Sequence, residues 1–146
     1  MNKTAIISGG SQGIGKALVK KFLSEGFTVY TCSRTGEKLK ELSAEFNSTS
    51  LHTFVADLSD KKQCQDFAGW VLGQTKTIDV LINNAGGARG LEPVAEADLE
   101  NWRWMWETNV IGTLQVTRAL LPKLIASGDG LIVTVTSIAA LEVYDG

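Results

Sequence analysis

The chain has 146 residues, net charge −2, and 44% hydrophobic and 21% charged residues, the balance of one globular domain with a core of its own. Fourteen basic residues against sixteen acidic ones provide no bulk cationic field for nucleic acid or an anionic membrane, so any anion must be gripped locally. No apolar run approaches the ~20 residues that span a bilayer, the apolar residues before Ser8 are too few for a signal-peptide core, and Cys32 and Cys64 lack the spacing of a metal site or disulfide framework, so the expectation is a cytoplasmic protein with reduced, packed cysteines.

Thr4-Ala5-Ile6-Ile7-Ser8 is a short apolar run ending in glycines, which reads as a buried strand entering a tight loop. Ile14, Ala17, Leu18, Lys21, Phe22 and Leu23 then recur at helical spacing, with Gly26 as the stop signal. Residues 27–32 form the next strand. Leu39, Leu42 and Phe46 mark a second helix, ended by Asn47-Ser48-Thr49-Ser50 before a strand over 51–56. Asp60 can cap a third helix carrying Cys64, Phe67, Ala68, Val71 and Leu72, and 78–82 is a fourth strand. A long helix is expected over about 98–126, with an apolar stripe of Trp102, Met105, Trp106, Val110, Leu114, Thr117 and Leu121, and with Pro122 bending or breaking its last turns. A fifth strand follows at 131–136. Strands alternating with helices, without hairpin signals, indicate parallel βαβ units and a doubly wound α/β sheet.

Chemistry enters at Ser8-Gly9-Gly10-Ser11-Gln12-Gly13-Ile14-Gly15, placed between the first strand and first helix, where backbone N–H groups can receive phosphate oxygens. An ordinary βα turn needs one or two glycines, whereas four stand here in seven positions. The stretch Gly10-x-x-x-x-Gly15-Lys16 comes close to a nucleoside triphosphate loop, but Ala17 lacks the hydroxyl that would ligate Mg²⁺. The spacing fits Thr-Gly-x-x-x-Gly-x-Gly instead, with Ser8 for threonine. An acidic residue ≈ 20 residues past such a loop would bond a ribose 2′-hydroxyl. None stands there. Ser33-Arg34-Thr35 places a guanidinium and two hydroxyls at that point, suited to a 2′-phosphate, so NADP(H) is expected over NAD(H).

In these residues the chain resembles the short-chain dehydrogenase/reductase family. Besides the loop residues Gly9, Ser11, Gln12, Gly13, Ile14 and Gly15, the resemblance rests on Asp57, followed by Leu58, after the third strand, on Asn83-Asn84-Ala85-Gly86 after the fourth, on Asn109 in the long helix and on Ser137 after the fifth. It implies a Rossmann-like sheet in the order 3-2-1-4-5, truncated after the fifth strand, and one NADP(H)-binding domain over residues 1–146. It also implies roles. Asp57 would approach the adenine, Asn84, Ala85 and Gly86 would support the sheet and pass the ribose, Asn109 would hold a relay water, and Ser137 would bind the substrate oxygen. Hydride transfer between nicotinamide and a carbonyl/alcohol couple is the implied reaction, with no metal.

The sequence departs from the family where a Tyr-x-x-x-Lys pair belongs, about a dozen residues beyond the serine and so past Gly146. Tyr144 is seven residues after Ser137, with no residue 148 to be its lysine, and is read as lining the substrate mouth or as part of a mobile loop. The chain is therefore expected to be the N-terminal part of a protein of roughly 250 residues, inactive by itself. The complete form is expected to take a small carbonyl or alcohol substrate and to be a homo-oligomer through the long helix. Trp102, Trp104 and Trp106 are read as packing and interface. A different class of function, an NADP(H)-binding module with a sensing or interaction role, fits the same residues.

Overall fold

All five residues of Thr4–Ser8 (β1) are buried, which requires a strand paired on both edges and covered on both faces. The computed structural model describes residues 3–142. It adds Thr28–Ser33 (β2), Leu51–Val55 (β3), Val80–Asn83 (β4) and Leu131–Thr134 (β5) to one parallel sheet in the order β3-β2-β1-β4-β5. Ile6 is flanked by Tyr30 on one side and Leu81 on the other. The expected strand order is the observed one.

The period of two along β1 feeds two cores. Ala5 and Ile7 pack with Val19 of Gly13–Ser24 (α1) and with Leu39 and Leu42 of Gly36–Phe46 (α2). Ile6 joins the opposite core, with Phe67 and Val71 of Lys61–Gln74 (α3) and Val116 and Leu120 further along the chain. Local signals set the helix ends. Gly26, at φ +78°, lets its own N–H reach Leu23 O and the N–H of Phe27 reach Phe22 O. Asn47 ends α2 in the left-handed region, and Asp60 Oδ1 accepts the N–H of Gln63 at 2.8 Å to cap α3.

The long helix departs from expectation in three ways. It is a helical run of Leu99–Trp106 (α4), a π-helical stretch at Glu107–Gly112 and Thr113–Ala126 (α5). A π turn inserts extra residues and shifts the faces before and after it. The predicted stripe does not face the core, on either side of this turn: Trp102, Trp106, Val110, Leu114 and Leu121 are exposed, and the buried line is Thr108, Gly112, Val116, Leu120 and Leu124. Pro122 does not end the helix either. It lies inside α5, whose last turn is held by the N–H of Ile78 on Lys123 O at 3.1 Å and by Lys123 Nζ on the carbonyls of Leu72 and Thr75, which offsets the bond a proline cannot donate.

Strand limits also shift. The fourth strand begins at Val80 rather than 78: the N–H of Ile78 is spent outside the sheet, on Lys123 O, and that of Asp79 makes the first bond to β1, on Thr4 O. The fifth ends at Thr134 rather than 136, and all four of its residues are exposed. None of the helices described is long and apolar enough to cross a membrane.

Gly112 is where the long helix meets the β3–α3 connection: a Cβ there would stand 2.2 Å from Leu58 O. Gly112→Val is expected to destabilise the fold by ~2 kcal/mol and lower Tm by roughly 5 °C in a thermal melt, whereas the same change at Gly73, where a Cβ meets nothing within 4 Å, is expected to leave Tm about unchanged, because valine is no worse a helix former than glycine.

Candidate functional site

The carboxyl ends of β1, β2 and β4 diverge into loops that enclose a cleft of about 770 Å³, the position where open α/β sheets bind ligands. Close backbone packing forms its floor. A Cβ on Gly9 would come within 2.9 Å of Ala85 Cα, and one on Gly15 within 2.2 Å of Gly9 O. Gly9 and Gly13 have φ of +71° and +53°, conformations that glycine adopts without strain.

Three polar side chains tie this floor together. Thr31 donates to Ile7 O at 2.6 Å and accepts the N–H of Gly10 at 3.1 Å. Ser8 Oγ accepts the N–H groups of Asn84 and Ala85 at 3.0 and 2.9 Å. Asn84 Nδ2 donates to the carbonyls of Ser8 and Gly9 at 3.0 and 3.1 Å. Asn84 thus supports the sheet with its side chain, while Ala85 and Gly86 present backbone to the cleft. The N–H groups of Gly9 and Gly10 both point to Cys32 O. What remains turned to the cleft is the start of α1, with Ser11, Gln12, Gly13 and an exposed Ile14 along its edge.

At the end of β2, Ser33 Oγ accepts the hydroxyl of Ser11 at 2.8 Å, joining the first loop to the second strand. Ser33, Arg34 and Thr35 line the cleft, together with Lys38, whose Nζ bonds Gln12 Oε1. No carboxylate pairs with Arg34 among the described residues. Across from it, Asp57 and Leu58 form the wall above β3. Asp57 Oδ1 accepts the N–H and hydroxyl of Ser59 at 2.9 and 2.7 Å.

On the remaining side, Asn109 in the π turn clamps the loop after β4. Its Oδ1 accepts the N–H of Gly87 at 3.0 Å and its Nδ2 donates to Gly87 O at 2.9 Å. Both ends of this amide are used on backbone. Ser137 lines the cleft beyond β5, exposed, with its Oγ accepting the N–H of Ala139 at 3.2 Å and its hydroxyl hydrogen free of an acceptor among the described residues. The structure therefore brings every sequence-predicted site residue to one cleft. Tyr144 lies outside the described residues.

Residues missed by sequence reasoning also line it: Lys38, Trp104, Met105 and Thr108. Trp104 corrects the reading of the three tryptophans as packing and interface. Trp102 and Trp106 are exposed, but Trp104 turns to the cleft, with the guanidinium carbons of Arg89 and Arg34 at 3.7 and 5.3 Å from its ring centroid. The i, i+4 series leading back from Gly112 through Thr108 to Trp104 was the available signal. Asn83 Oδ1, Trp104 Nε1 and Thr108 Oγ1 are buried without a hydrogen-bond partner, and all three residues belong to the cleft wall, which marks the wall as built for a polar occupant.

A family model described as short chain dehydrogenase matches residues 3–146. The chain belongs to the short-chain dehydrogenase family. An uncharacterized oxidoreductase of Mycobacterium tuberculosis is 52% identical over 144 residues, covering 99% of this chain and 55% of its own length. A short-chain dehydrogenase structure from Streptomyces avermitilis superposes with TM-score 0.91 at 29% identity over 100% of this chain and 53% of its own. The structure of ElxO with NADP bound gives TM-score 0.89 at 29% identity, over 99% of this chain and 59% of its own. The chain spans about half the length of the relatives it matches. Within the short-chain dehydrogenase fold, the parallel sheet and the cleft above it are thus present in the described residues.

Cys32 and Cys64 are free, buried thiols, and Cys32 borders this cleft. Burial pushes Cys32 up to about 12; burial, reinforced by the carboxylates of Asp60 and Asp57, pushes Cys64 to about 11. Only the thiolate attacks a disulfide reagent, and both groups stay protonated well past the range where free cysteine ionises. In the folded protein at pH 8 neither is expected to react with dithiobis(nitrobenzoate), and two thiols are expected to appear on addition of denaturant. A thiol titrating fast before unfolding would contradict this.

Proposed function

We propose that the protein to which this chain belongs is an NADP(H)-dependent oxidoreductase that interconverts a carbonyl and an alcohol. The observation that carries the cofactor is Arg34, a guanidinium without a carboxylate partner among the described residues, at the end of β2 where an acid would favour NAD(H). The residues fit such a group. The glycine cradle has no room for side chains at Gly9 and Gly15 yet nothing within 4 Å of a Cβ on Gly13, and the orphaned polar atoms of the wall await partners.

When bound, the nicotinamide cofactor supplies or accepts hydride at the reacting carbon. In this reading the backbone at Gly9, Ser11, Gln12, Gly13, Ile14 and Gly15 receives the pyrophosphate at the start of α1. Ser33, Arg34 and Thr35 hold the 2′-phosphate, Asp57 and Leu58 border the adenine, and Ala85 and Gly86 pass the ribose. Asn84 and Asn109 position those loops through the hydrogen bonds described above. Ser137 turns its free hydroxyl hydrogen to the substrate oxygen, binding and orienting it. The family's tyrosine and lysine pair has no counterpart among the described residues.

Arg34→Asp tests the cofactor reading. Calorimetric titration is expected to show NADPH binding weakened by roughly tenfold to a hundredfold and NADH binding relatively improved. An unchanged ratio would sink the assignment of Arg34. Gly13→Val is expected to remove binding of both dinucleotides, because a β-branched residue cannot hold φ +53° without strain and its side chain would occupy the cleft.

The same reading takes the whole protein as a homo-oligomer, supported by the exposed Trp102, Trp106, Val110 and Leu114 along one helix. Sedimentation of the whole protein is expected to return a multiple of the single-chain mass; a monomer at micromolar concentration would overturn it.

A further inference from the structure

Trp104 occupies an unusual electrostatic position. Its ring carries Arg89 at 3.7 Å and Arg34 at 5.3 Å from its centroid, and neither arginine has a carboxylate partner among the described residues. Two guanidiniums gathered at one indole repel each other. The ring's quadrupole attracts each of them, but it does not cancel their charge. An anion placed between them would.

The ring is held by packing rather than by hydrogen bonding, since Nε1 is buried without a partner. Gly87, clamped by Asn109, passes so close that a Cβ there would stand 3.4 Å from the edge of the ring. Arg89 is tethered a second time, its backbone N–H lying 3.4 Å from Met105 Sδ. The loop after β4 is thereby fastened to α4 so that a cation from this loop stands on the same residue as the cation from the end of β2. Trp104 also lines the cleft in its own right.

The geometry points to Arg89 as a second cationic contact for the 2′-phosphate of the dinucleotide, with Trp104 as the residue that positions both arginines. The inference rests on the NADP(H) reading above and extends it to a residue that this reading left without a role. Arg34 and Arg89 both bring their charge to the Trp104 ring, so a doubly charged group held beside that ring meets both. A cofactor lacking the 2′-phosphate gains nothing from Arg89. Selectivity between the two dinucleotides is therefore divided between two loops.

The test is calorimetric titration of NADPH and NADH into the chain and its Arg89→Gln, Arg89→Lys and Trp104→Leu variants, with circular dichroism to follow folding. Arg89→Gln is expected to weaken NADPH about tenfold while leaving NADH unchanged, and to make NADPH binding less sensitive to salt. Arg89→Lys, which keeps the charge, is expected to recover part of the loss. Trp104→Leu is expected to lower NADPH affinity more than NADH affinity, through both arginines. Equal losses for the two dinucleotides in Arg89→Gln, or no loss, would overturn the inference, leaving the cofactor reading intact if Arg34→Asp still changes the ratio. A chain that binds neither dinucleotide, or binds both alike, would overturn the cofactor reading and this inference together.

Discussion

At the carboxyl end of β1 three backbones come so close that side chains have no room. A methyl group on Gly10 would lie 2.1 Å from Thr31 Oγ1, one on Gly15 would lie 2.2 Å from Gly9 O, and one on Gly9 would press on Ala85. Buried backbone N–H and C=O groups in such a place must find partners or destabilise the fold. Thr31, Ser8 and Asn84 supply them, each reaching from one strand to the next. The exclusion of side chains and the cross-strand bonds have one cause. Together they leave a shallow surface of backbone at the start of α1, which is the surface a phosphate chain can approach.

The charges are arranged around that neutral floor rather than on it. Arg34 and Lys38 stand at the β2 edge, and Arg89 stacks on Trp104 of the cleft wall. The chain as a whole has net charge −2, so this local cluster runs against the global balance. A local cluster of this kind can attract a phosphorylated small molecule without a cationic field over the whole chain.

Much of this was readable in the residue order because the signals are local. Four glycines in seven positions, Asp60 before a helix, Asn47 after one and Arg34 where an acid would otherwise stand each act over a few residues: Asp60 caps α3, Asn47 ends α2, and Arg34 lines the cleft with the glycine loop. The long helix was less readable. Its stripe from Trp102 to Leu121 satisfies a helical period, but a period does not say which side faces the sheet, and the π turn at Glu107–Gly112 alters the phase midway. The buried line depends on Gly112 fitting against Leu58 O, a contact between residues more than fifty positions apart. Trp104 was misread for the same reason: its role follows from where α4 is rotated, which is set by tertiary contact.

The π turn has a consequence for how the two ends of the long helix are related. Each residue of an α-helix turns the chain by about 100°, so one residue more or less in Glu107–Gly112 would rotate α4 by that amount about its axis while α5 stayed seated on the sheet. Trp104 would swing from the cleft and its neighbours would take its place. The segment works as a dial between a fixed core and an adjustable wall. Thr108, Asn109 and Gly112 lie within the segment, so an insertion or deletion there would also displace the Asn109 clamp on Gly87 and the Gly112 contact with Leu58, which makes this helix two modules joined by a rotational offset.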